Sequence, residues 1–149
     1  MKKFKFTLST MLHYKDALLD KEKNTLLQLR AEQVLIERKI AESDVQMLNL
    51  EQQMKEKAMQ GTTAMELRTY EFHCENARSL KKQLEDELDE LAHIIEKQRK
   101  LVVALSQEVS GLEKLEQKQQ EEYDYAVQKE EDLRIGELIS SKIATERTS

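Results

Sequence analysis

The chain has 149 residues, with 24 Lys and Arg against 29 Asp and Glu for a formal charge of −5, and it contains no Pro, three Gly and one Cys. So few turn-formers exclude a β-sandwich or an α/β domain, and one cysteine excludes an intrachain disulfide framework and fits a reducing compartment. Ala, Glu, Lys, Leu and Arg make up just over half of the sequence, a composition typical of long helices and coiled coils. The longest apolar run, Leu101 to Leu105, is far short of the roughly 18 residues of a membrane span. With 36% charged residues, full disorder is the rival reading, and periodicity decides against it.

The chain begins Met1-Lys2-Lys3-Phe4-Lys5-Phe6. This stretch is basic but has no apolar segment after it, so no secretory signal is expected. Its two Phe are expected to pack on the second helix or to touch a protein. A first helix is predicted from near Ser9 or Thr10. Spacings alternating four and three run through Leu8, Leu12, Lys15, Leu19, Glu22, Leu26, Leu29, Gln33, Ile36, Ile40, Ser43, Met47, Leu50 and Met54, and only four of these positions are polar. The one strong break is Gln60-Gly61-Thr62-Thr63. Gly61 suits a left-handed residue just past a helix end, and Thr63 with Glu66 reads as a capping box that opens the next helix. That second helix is predicted from about 64 to about 143. Its seam runs through Leu84, Leu88, Leu91, Ile95, Gln98, Val102, Leu105, Val109 and Leu112, after a stutter through Tyr70, Cys74, Ala77 and Leu80. Heptad repeats sustained over this length predict a left-handed coiled coil.

A connection of three residues forces the helices antiparallel. The predicted fold is therefore all-α: one domain over 1–149, a long antiparallel two-helix coiled-coil hairpin with a C-terminal helix overhang. In a hairpin centred on residue 62, facing positions have numbers adding to about 124, which sets Ile40 against Leu84, Ile36 against Leu88, Leu29 against Ile95, Leu19 against Leu105 and Leu12 against Leu112. The polar seam residues Lys15, Glu22 and Gln33 then face Val109, Val102 and Leu91, so no two polar layers coincide. At 1.5 Å per residue the first helix spans about 78 Å and the second about 120 Å, which leaves an overhang of about 40 Å from about residue 117. The overhang carries Tyr123, Tyr125, Val127, Leu133, Ile135, Leu138, Ile139 and Ile143. An unpaired helix with such side chains is marginal in water and awaits a partner. Residues 116–137 hold eight acidic and three basic groups, which makes nucleic acid a poor partner.

Chemistry-bearing residues are sparse. His13, His73 and His93 are far apart in sequence, and His73-Cys74 are adjacent, whereas ligands on one helix need a spacing of three or four to share a face. Cys74 reads as a small apolar seam residue. No GxxxxGK[ST] loop is present, and the run Glu85-Asp86-Glu87-Leu88-Asp89-Glu90 lacks the glycine and oxygen spacing of a calcium loop. No catalytic group, metal, cofactor or small-molecule substrate is expected.

The ends carry a resemblance. Met1-Lys2-Lys3-Phe4-Lys5-Phe6-Thr7-Leu8 with Leu12-His13-Tyr14-Lys15 resembles the opening of the bacterial flagellar export protein FliJ family. The stretch Leu112-Glu113-Lys114-Leu115-Glu116-Gln117-Lys118, then Glu121-Glu122-Tyr123 and Lys129-Glu130-Glu131, is similar to that family's second signature. Gly136 departs from a segment that is more acidic in the family. The resemblance implies a cytoplasmic component of the flagellar type III protein export apparatus, peripheral to the inner membrane at the flagellar base. It implies a likeness to the stalk of rotary ATPases, and three partners: the export ATPase hexamer, the cytoplasmic part of the export gate, and substrate chaperones. On that basis Phe4, Phe6, Leu8, Tyr123, Tyr125, Leu133 and Leu138 are candidate ATPase-ring contacts. Leu67, Tyr70 and Phe72 are candidate gate or chaperone contacts. The alternatives are a stalk protein or chaperone of a virulence-type secretion system, and a self-associating structural coiled coil.

Overall fold

The computed structural model describes residues 2–148. It contains α1, Ser9–Gln60, and α2, Ala64–Thr148, and no strand among the described residues. The expected all-α antiparallel hairpin is the observed fold. α2 continues to Thr148, past the predicted end near 143.

The connection forms as its residues dictate. Gly61 has φ of 93°, a conformation L side chains resist. The Thr63 hydroxyl accepts from the Glu66 amide at 3.2 Å, and the Thr63 carbonyl accepts from the Leu67 amide at 3.2 Å, so Thr63 is the N-cap. The returning half of the capping box is displaced by one residue: the Glu66 carboxylate accepts from the Thr62 hydroxyl at 2.7 Å. That bond, with the charge of Lys57 second, holds the Glu66 carboxyl below the usual glutamate range.

The chain divides into two compact units, Lys21–Val102 and the remainder. Within the first, the core is Cys74, Leu84 and Leu91 with Ser43, flanked by half-buried Leu26, Leu29, Ile36, Ile40, Met47, Leu50, Leu88 and Ile95. The expected stutter is absent. Leu80 is 52% exposed and half-buried Lys81 takes the seam position, so the four-three spacing runs unbroken through Tyr70, Cys74, Ala77, Lys81 and Leu84. Lys81 fits because its stem covers apolar neighbours while Nζ reaches Asp44 at 2.6 Å and Glu85 at 3.9 Å. Two polar seam residues also meet, against expectation. The Gln98 amide donates to the Glu22 carbonyl at 3.0 Å and to its carboxylate at 2.5 Å, since long side chains span the one-turn offset that the mirror rule leaves between them.

Within the other unit, Phe6, Leu19, Leu105 and Val109 are buried. Lys15 also sits in the seam, and its Nζ reaches Glu108 at 2.9 Å, a neighbour of the expected Val109.

Candidate partner-binding surfaces

Residues 2–8 precede α1 without joining it, and the arm is fixed by specific contacts. The Phe6 carbonyl accepts from the Ser9 amide at 3.1 Å, and the Phe6 side chain is buried. The Phe4 ring lies 5.6 Å from that of Tyr123, tilted by 49°, within the range of favourable aromatic pairs. The Tyr123 hydroxyl donates to the Lys2 carbonyl. The arm thus covers α2 beyond residue 117, as far as Tyr123, and residues Ala126 and Val127 are still half-buried. A shallow groove beside it is lined by Phe4, Lys5, Phe6, His13, Glu116 and Gln120, among others.

Every residue over 128–148 is exposed. This part of α2 is held by its own backbone and by local rungs. Within it the Gln128 amide donates to the Asp132 carboxylate at 3.1 Å, and the Thr145 hydroxyl donates to the Ser141 carbonyl at 2.9 Å, each a small stabilisation. Similar amide-to-carboxylate bonds, Gln117 to Glu121 at 3.4 Å and Gln120 to Asp124 at 3.1 Å, precede it. Ile135, Leu138, Ile139 and Ile143 share one helical face and are all exposed, Leu138 by 64%. Leu133, also exposed, continues the register of the inner seam through Tyr123, Ala126 and Glu130 and so lies on the other side of the helix.

The seven candidate ring residues therefore divide by environment. Phe6 is buried, Phe4, Leu8 and Tyr123 are half-buried, and Tyr125, Leu133 and Leu138 are exposed. The first four pack within the protein; of the last three, Leu138 shares the stripe with Ile135, Ile139 and Ile143. Those three isoleucines belong with the site on geometry, and their spacing of four is the sequence signal that places them there.

In the unit Lys21–Val102, Leu67 and Tyr70 are half-buried seam residues, with Lys57 Nζ 5.5 Å from the Tyr70 ring centre. Phe72 is 60% exposed, and its ring centre lies 6.0 Å from that of the neighbouring His73. The three candidates do not present a common face, and Phe72 alone offers a large open apolar surface. On the side of His73, a groove is lined by Gln46, Asn49, Leu50, Gln53, His73 and Asn76, among others.

Among the described residues, no three His, Cys, Asp or Glu side chains gather in a way that could hold a metal ion. No helix is long and apolar enough to cross a membrane. Comparison with curated proteins and with solved structures finds no match. The family model described as "Flagellar FliJ protein" matches residues 4–147, so its match takes in the Phe4 and Phe6 arm, both helices and all but the last described residue of the exposed end, and the chain belongs to that flagellar FliJ family.

Proposed function

We propose that the chain is a stalk-like component of the flagellar type III export apparatus, acting at the cytoplasmic face of the inner membrane. The exposed end of α2 engages the export ATPase ring, and Phe72 contacts the export gate or a substrate chaperone. The observation that carries this reading is the bare helix over 128–148 with its stripe of Ile135, Leu138, Ile139 and Ile143. A pore formed by several identical subunits can bury such a helix, and the family match favours a flagellar over an injectisome setting.

The chain would raise ATP hydrolysis without supplying a catalytic group. By binding the assembled ring better than the separate subunits, it shifts the equilibrium toward the ring. The arm then acts as a brace, since Phe4, Phe6 and Tyr123 hold the root of the exposed helix. The test is a chain shortened after Val127, which keeps the arm and its Tyr123 anchor. Added to purified ATPase, it is expected to remain helical by circular dichroism and to lose most ring binding and stimulation. Full stimulation by the shortened chain would refute the reading.

A further inference from the structure

α1 carries a second seam on its outer face. Leu27, Ala31, Val34, Arg38, Ala41, Val45 and Leu48 follow the same four-three spacing as the inner seam, with one polar position. Every one of them is exposed, Leu27 and Leu48 by 65%, Val34 by 53% and Val45 by 57%. All lie in the unit Lys21–Val102, and none is among the residues proposed for the ring or the gate. The outward positions of a two-helix coiled coil are ordinarily polar, so three heptads of apolar residues there are a feature to be explained.

Reversed, the pattern is complementary to itself in size and in charge. When the segment is laid antiparallel on a copy of itself about an axis near residues 37 and 38, Leu27 faces Leu48, Ala31 faces Val45, and Val34 faces Ala41. Small side chains then sit against branched ones in the inner layers, which lets the helices approach closely. The flanking row on one side is Lys23, Arg30, Glu37, Asp44 and Glu51, basic at one end and acidic at the other. Antiparallel pairing brings Lys23 to Glu51 of the copy and Arg30 to Asp44, and it places each Arg38 beside Glu37 across the axis. On the other flank only the end residues, Lys21 and Glu56, pair in this way, around Gln28, Leu35, Glu42 and Asn49. Parallel pairing would align like charges along both flanks. Asp44 also bonds Lys81 within its own chain, so the charge test is best placed on Lys23 and Glu51.

We infer that the outer face of α1 over 27–48 is a self-association surface, and that a second copy of this chain docks there antiparallel about a two-fold axis. Such an interface is isologous, each contact occurring twice, and its opposite-charge flanks select orientation in the way charged flanks select coiled-coil partners.

The test uses the full chain. Sedimentation equilibrium over a concentration series is expected to show a reversible monomer–dimer transition. Val34→Glu is expected to weaken dimerisation at least tenfold with unchanged helicity, because the residue is exposed in the monomer. Lys23→Glu weakens the dimer and adding Glu51→Lys restores it. In a Cys74→Ser background, Leu27→Cys mixed with Leu48→Cys cross-links oxidatively, whereas Leu27→Cys alone does not. A chain that stays monomeric throughout the series overturns the inference, and capture of a foreign amphipathic helix by this face would then name another occupant. Cross-linking of Leu27→Cys with itself would show parallel pairing and also overturn it.

Discussion

Single residues in this fold are tuned by backbone shape and hydrogen-bonding opportunity, and two of the glycines illustrate how differently. Gly61 holds a positive φ, so Gly61→Ala is expected to destabilise the hairpin by about 1–2 kcal/mol. Gly111 lies within α2 with nothing near the position of an added Cβ. Gly111→Ala should therefore stabilise by about 0.5–1 kcal/mol, read as a rise in urea midpoint with the slope unchanged. Ser43 is buried and its hydroxyl has no partner. Ser43→Ala removes an unpaired polar group and is expected to leave stability level or raise it by about 1 kcal/mol; a loss of similar size would mean the hydroxyl does bond. Glu66, held below its usual pKa first by the Thr62 hydroxyl, gives a pH signature. A depressed folded-state pKa contributes stability in full above the ordinary glutamate value of about 4.3 and loses it as pH falls through the lower folded value. Thr62→Val should therefore lower the melting temperature at neutral pH and narrow its gap from the parent as the acid is protonated. Lys15 and Lys81, raised by hydrogen bonds to Glu108 and Asp44, act in the opposite sense. Their contribution is complete below the ordinary lysine value and is lost only as pH rises through the higher folded one.

At the scale of elements, what could be read from the sequence was what repeats or punctuates. The inner seam of α1 was legible throughout: each of its positions from Leu12 to Met54 is buried or half-buried, because a heptad pattern needs no knowledge of the partner. The turn was legible because Gly61 and Thr63 solve local backbone problems. Lys81 was not, since hydropathy favours Leu80. What decided it was the register together with Asp44, which the mirror rule sets about opposite Lys81 but which a hydropathy pattern does not single out. The arm was legible only in part. Two Phe at its head suggest packing, but a non-helical segment has no period, so its reach to Tyr123 depends on tertiary contacts. Its contribution can be measured. Phe6→Ala should cost about 2–3 kcal/mol, the worth of burying a phenylalanine. Tyr123→Phe, which keeps the ring against Phe4 and loses the bond to Lys2, should cost about 0.5–1.5 kcal/mol. Equal losses from the two variants would mean that the hydroxyl, rather than aromatic burial, anchors the arm.

At the scale of the whole molecule, the candidate surfaces share one physical character: apolar side chains on helices whose backbone is already satisfied. Such surfaces bind by packing and leave no signature of the kind catalytic or metal sites leave. This is why the sequence could nominate residues but not sort buried ones such as Phe6 from exposed candidates such as Leu138. The sorting makes a separation of functions testable. Ile139, 55% exposed, and Phe72, 60% exposed, sit in different units. Substitution of either should change stability by no more than about 0.5 kcal/mol, as for ordinary surface positions. Ile139→Glu places a charge in the middle of the stripe with Ile135, Leu138 and Ile143. It is expected to reduce ATPase-ring binding more than tenfold, the scale of a central interface residue, while leaving gate and chaperone binding untouched. Phe72→Ala is expected to do the reverse. Both variants would be compared with the parent by titration against purified ATPase and against the soluble part of the gate. Loss of both activities in either variant, with helicity retained, would mean that the surfaces act as one and would sink the assignment of separate partners to them.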